Sequence, residues 1–95
     1  MSTHTQEELT ALALHHSTTA QHDALVLLIE RGFRIFKTRS EGPVMLVFVT
    51  HPNVFGVVYP DGQLHRPAKG RKTVDYNWNR ARALYDAQHA KKETV

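Results

Sequence analysis

The run Val44-Met45-Leu46-Val47-Phe48-Val49 is apolar at six consecutive positions, and its reading decides the architecture. Gly42-Pro43 precede it and His51-Pro52-Asn53 follow, so it is bounded by turn residues on both sides. A membrane-spanning helix needs about 20 apolar residues, and a packed helix about 10 to 12. A short run rich in β-branched residues between turn signals therefore reads as a strand, and one with no polar alternation is a strand covered on both faces. Strand 44–50 accordingly belongs in the middle of a sheet. Working outward, Phe33 to Thr38 and Val54 to Tyr59 read as its neighbours. The separators Ser40-Glu41-Gly42-Pro43 and His51-Pro52-Asn53 are too short for a crossover, which makes both neighbours antiparallel. Tyr59-Pro60-Asp61-Gly62 suits a type I turn with Pro second and Gly fourth, leading to a short edge strand, Leu64 to Arg66, that Pro67 ends.

Helices lie on either side of this block. Thr5 with Glu8, and Thr18 with Gln21, have the spacing of capping boxes, in which each side chain satisfies an amide near a helix start. The first helix carries Leu9, Leu12 and Ala13 on one face, and the polar stretch from His15 to Thr19 interrupts it. The second runs to about Arg31, with Gly32 as its stop. Its residues Ala24 to Ile29 are apolar around most of the circumference, which predicts a central, largely covered element. Ala68 to Val74 form a basic loop, and Asp75 is the expected N-cap of a last helix from about Tyr76 to Lys91. Trp78, Ala81, Leu84, Tyr85 and Gln88 share one face of that helix, placing Trp78 in or beside the core. The expected fold is α+β: two N-terminal helices, a three- to four-stranded antiparallel sheet and a C-terminal helix. Residues 1–95 form one compact domain with frayed ends at 1–4 and 92–95.

Composition narrows the chemistry. Of 95 residues, 41% are hydrophobic and 22% charged, the balance of a folded domain that can bury a core. There is no cysteine, so disulfides, thiolate metal sites and cysteine nucleophiles are excluded. The polar, acidic start lacks the features of a secretory signal, and no run is long enough to span a membrane, so a cytoplasmic, intracellular location without membrane partners is expected. The seven histidines do not pair at the i, i+4 spacing that aims two ring nitrogens at one ion. His89 and Glu93 have that spacing, but at a fraying end. Ser2, Ser17 and Ser40 lack the strand-turn-helix context of a serine nucleophile. The segment Gly62 to Thr73 fails the phosphate-loop spacing, because Arg71 intervenes between Gly70 and Lys72. Asp61 and Asp75 stand apart from other acids, unlike the converging carboxylates of a two-metal nuclease. No enzymatic activity, cofactor or metal is expected.

The charge is unevenly spread. Before Arg31 there are four acids and no Lys or Arg; from Arg31 onward 12 bases face five acids, so a net −4 is followed by +7. That split points to an anionic partner for the second part. His65, Arg66, Lys69, Arg71 and Lys72 fall within eight residues, and Arg80 and Arg82 follow in the next helix. A basic loop at a helix N-terminus suits phosphate twice, through its side chains and through free amides at the positive end of the helix dipole. Tyr76, Asn77 and Trp78 lie close by in sequence and could stack on or bond to bases. The site expected from sequence is thus Arg66, Lys69, Arg71, Lys72, Arg80, Arg82, Tyr76 and Trp78, contacting nucleic acid or a nucleoprotein. The alternative is a solvated loop whose arginines pair with Glu41, Asp61 or Asp75.

The element order over roughly residues 19–90 resembles that of the double-stranded RNA-binding domain, with Gly42-Pro43 before the middle strand and Gly70-Arg71-Lys72 before the last helix. In that family lysines at the start of the last helix grip phosphates across a groove, and the resemblance implies the same use of this segment. The chain departs from the family in having Thr73-Val74-Asp75 where a Lys-Lys-x-x-Lys run would stand, and in carrying Pro67. A different class of function is a protein-protein adaptor or inhibitor, for example one encoded by a phage or mobile element. Phe36, Phe55, Tyr59, Tyr76 and Trp78 would be its anchors. A sheet with helices on one face leaves the other needing cover, and a homodimer through that face or an edge strand is the simplest way to supply it.

Overall fold

Both N-terminal helices start on the capping boxes read from sequence. In the computed structural model, which describes residues 5–52, 54–68, 70, 74 and 76–93, Glu8 N donates to Thr5 Oγ1 at 3.1 Å and Thr5 N to Glu8 Oε1 at 3.3 Å. Thr18 and Gln21 repeat the exchange at 3.1 and 3.0 Å. The elements are α1 (Gln6–His16), α2 (Thr19–Glu30), β1 (Arg34–Glu41), β2 (Val44–His51), β3 (Val54–Val58), β4 (Leu64–His65) and α3 (Trp78–Glu93). The chain has an α+β fold with a four-stranded antiparallel sheet in the order β1-β2-β3-β4.

The central strand sorts its side chains between two cores. Met45, Val47 and Val49 join Ala13, Leu25, Ile35 and Val58 under α1 and α2. Val44, Leu46 and Phe48 join Val57, Tyr59, Val74 and Ala81 on the opposite face, where Trp78, Leu84 and Tyr85 of α3 pack. The sheet therefore has helices on both faces, which corrects the expectation that helices cover only one of them. Tyr59 is only 2% exposed, and its hydroxyl accepts from Asn77 N at 2.9 Å, so it holds the start of α3 rather than serving as an outward anchor.

Gln21 ties the helical layer to the sheet. The last paired residues of β2 and β3 are Val47 and Val58. At that end, the buried Gln21 amide donates to Met45 O, beyond the pairing, at 2.7 Å and to Val58 O, within it, at 3.2 Å. The β3–β4 turn closes as a type I turn with a G1 bulge: Gly62 N donates to Tyr59 O at 2.8 Å, Tyr59 N to Gln63 O at 3.1 Å, and Gly62 has φ 81°. Thr18 Oγ1 donates to Pro60 O at 2.6 Å, and a Cβ on Gly62 would stand 2.6 Å from Ala20 O, so the turn is pressed onto the start of α2.

The first strand runs on past Thr38 to Glu41, taking in Ser40 and Glu41 that the sequence reading assigns to the turn, because they pair with Met45 and Val44. The last helix begins at Trp78 rather than Tyr76, with Asn77 as its cap: Arg80 N donates to Asn77 Oδ1 at 3.2 Å. Asp75, the expected cap, lies outside the described residues. The second helix is also less covered than its apolar content predicts, since Val26 and Leu27 are 38% and 48% exposed. A helix in an outer layer buries only its sheet-facing side, whatever the chemistry of its back.

Candidate nucleic-acid interface

The surface that gathers aromatic rings and cations is the α3 side of the sheet along edge strand β1. Residues directly opposite one another in an antiparallel pair share a face. Arg34 pairs with Thr50, Lys37 with Phe48, Arg39 with Leu46 and Glu41 with Val44, so all four lie on the face bearing Leu46 and Phe48. Strict alternation would not do this, because Ile35 pairs with Val49 on the α1/α2 side and Lys37 would follow it there. The register instead shifts between Ile35 and Lys37, leaving Phe36 as an extra residue in a β-bulge. A bulge re-aims the side chains that follow it. Here it delivers Lys37 and Arg39 to the aromatic side.

Phe36 joins them. Its ring centroid is 6.1 Å from Phe48 and 5.4 Å from Phe55, and Phe48 is in turn 5.8 Å from Tyr76, which is 5.9 Å from Trp78. These spacings are those of mutually attracted ring pairs. The cluster grades outward: Phe48 is 4% exposed, Phe55, Tyr76 and Trp78 are half-buried, and Phe36 is 41% exposed. The cations stand over the rings, with Lys37 Nζ 5.2 Å from the Phe48 centroid and the Arg39 guanidinium carbon 5.7 Å from that of Tyr76. Such contacts hold the aliphatic stems against apolar surface and leave the charged heads in water. At the other border of the cluster, exposed Arg66 lines a shallow cleft with Val54, Phe55 and Pro67.

The residues expected from sequence divide into three groups. Tyr76 and Trp78 are brought into the ring cluster, and Arg66 lies at its border. Arg80 is exposed on the first turn of α3, whereas Arg82 pairs with Glu41 at the end of β1, so its charge is matched within the chain. Lys69, Arg71 and Lys72 lie outside the described residues. His65 turns inward: its ring is 4.1 Å from that of Tyr59, and its buried Nε2 has no hydrogen-bond partner. Among the described residues no three His, Asp or Glu side chains converge as metal ligands, and no helix is long and apolar enough to cross a membrane.

Sequence reasoning missed Arg34, Lys37 and Arg39 as site residues. The available signal was a conflict in β1 itself, where strict alternation groups Ile35 with Lys37, Arg39 and Glu41, one apolar residue with three charged ones. Comparison with known proteins found no matching family, no matching curated protein and no matching solved structure.

Proposed function

We propose that this chain is a non-catalytic module that binds nucleic acid, or a nucleoprotein through its nucleic acid. The contact surface is the aromatic face of the sheet, bordered by Arg66 and the start of α3. The observation that carries this reading is the placement of the exposed Arg34, Lys37 and Arg39 on the same face as Phe36, Phe48, Phe55, Tyr76 and Trp78. Arg66 lies beside Phe55, and Tyr76 lies against Phe48. Lysine and arginine neutralise phosphates and set affinity, while rings offer stacking surface for bases. Among the described residues none of Arg34, Lys37, Arg39 and Arg66 has a carboxylate partner, in contrast to Arg82.

The test is fluorescence anisotropy with labelled mixed-sequence DNA and RNA across a salt series. Binding should weaken linearly in log-log form between about 50 and 200 mM salt, because each phosphate contact releases counterions. Lys37→Glu with Arg39→Glu should lower affinity at least ~10-fold and reduce the slope by about 1.5 to 2. Both side chains are exposed, so the thermal midpoint should barely move. Absence of salt-dependent binding to any nucleic acid at low salt overturns the proposal. Nuclease-resistant capture of a protein through Phe36, Phe55, Tyr76 and Trp78 would then favour the adaptor reading.

A further inference from the structure

Resting on the nucleic-acid reading, we infer that the ligand is single-stranded: unpaired bases stack on Phe36 at the β1 bulge, while Lys37 and Arg39 hold the adjoining phosphates. The exposure of Phe36 is the first argument. A phenylalanine that is 41% exposed, at the outer limit of a cluster whose inner member Phe48 is 4% exposed, is a ring the core does not need to bury. The bulge that presents it interrupts the β1–β2 ladder, so the strand gives up regular pairing at the position where the ring emerges.

The second argument is shape. Phe36, Phe48 and Phe55 lie on strands, and α3, which carries Trp78, lies packed against the sheet, so the cluster presents a face and not a projecting helix or ribbon of the kind that enters a major groove. A duplex keeps its base faces stacked on one another and offers side chains only edges and phosphates, which would leave Phe36 and Phe55 without a partner. An unpaired strand offers a π-face from every base. The third argument is spacing and charge. Lys37 and Arg39 are two residues apart on an extended strand, about 6.7 Å along its axis, which is one nucleotide step of an extended backbone. They run beside Phe36, so phosphates following the β1 edge keep their bases over the rings. Arg34 continues the charged row before the bulge, next to the Thr50–Phe55 pair.

The experiment compares one labelled strand, alone and annealed to its complement, by anisotropy at a single low salt concentration. The single strand should bind at least ~10-fold tighter than its duplex. Phe36→Ala should weaken single-strand binding about 5- to 150-fold, the range for losing one base-aromatic stack, and leave duplex binding unchanged. Phe36→Tyr should restore most of the loss, which a change in folding alone would not do, and both variants should keep the wild-type far-UV circular dichroism. Equal affinity for strand and duplex, with Phe36→Ala silent and Lys37→Glu/Arg39→Glu still damaging, overturns this inference and leaves the nucleic-acid reading standing. No binding to either form overturns both.

Discussion

Replacing Gln21 with Leu tests whether the junction between α2 and the sheet is the dry, fully bonded layer that the geometry describes. Gln21 is 1% exposed and makes three bonds with its side-chain amide: it accepts from Thr18 N, and it donates to Met45 O and Val58 O. Leucine fills similar space but can replace none of these. Met45 O, past the last β2–β3 pair, would be left buried without a donor at about 1 to 3 kcal/mol, and Val58 O, within that pair, would lose a second bond worth about 0.5 to 1.5 kcal/mol. Half of the capping box is lost as well, at about 0.5 to 1 kcal/mol. Leucine's own gain on burial offsets part of this, and the expected net loss is about 2 to 3 kcal/mol. A 95-residue chain at ~0.05 to 0.15 kcal/mol per residue has about 5 to 14 kcal/mol in hand, so the variant should fold but melt roughly 8 to 24 °C lower. Urea titration followed by far-UV circular dichroism and by Trp78 fluorescence measures this, and both probes should shift together, since Trp78 packs on the opposite face of the sheet. A loss below ~1 kcal/mol would refute the reasoning, because it would mean that water reaches those carbonyls and that Gln21 does not tie the layers together.

Two further substitutions separate backbone geometry from packing. Gly62→Ala meets both a left-handed φ of 81° and Ala20 O at 2.6 Å, so it should cost about 3 kcal/mol or more, whereas Gly42→Ala, with φ 62° and no atom within 4 Å, should cost only about 1 to 2 kcal/mol; equal losses in urea would show that the turn is not pressed onto α2. Deleting Phe36 closes the ladder from Ile35–Val49 directly to Lys37–Phe48 and should cost only the ring's own contacts, about 1 kcal/mol, while deleting Thr38 carries Lys37 to the α1/α2 side opposite Val47 and should cost about 2 to 3 kcal/mol, so indistinguishable midpoints for the two deletions would rule out the bulge.

What could be read from sequence depended on the range of the physics involved. The capping boxes at Thr5–Glu8 and Thr18–Gln21 are contacts over three residues, and the six apolar residues of β2 need cover on both sides wherever the strand lies, so both features emerged intact. The face chosen by α3 did not. Trp78, Ala81, Leu84 and Tyr85 show that the helix has an apolar side, but the choice of sheet face rests on contacts such as Tyr59 Oη with Asn77 N, 18 residues away. The candidate site failed to show for a sharper reason. As composition, the residues from Arg34 to Glu41 contain three bases and an acid and look like an ordinary solvated edge strand that discourages pairing with other chains. Whether those charges crowd beneath α1 or line up beside Phe48 and Tyr76 depends on one inserted residue, because side-chain period in a strand is two and a single bulge reverses it. Alternation anchored at Ile35 would bring Lys37 and Arg39 toward the core formed by Ala13 and Leu25, where burying unpaired charge is prohibitive. The bulge at Phe36 relieves that conflict and, in the same step, sets an exposed ring next to two cations. Stability alone therefore accounts for the bulge, but it does not require its extra residue to be aromatic. Serine or threonine would relieve the register as well; phenylalanine adds ring contacts with Phe48 and Phe55, and what the 41% of it left exposed does is the question that the Phe36→Ala comparison of strand and duplex decides.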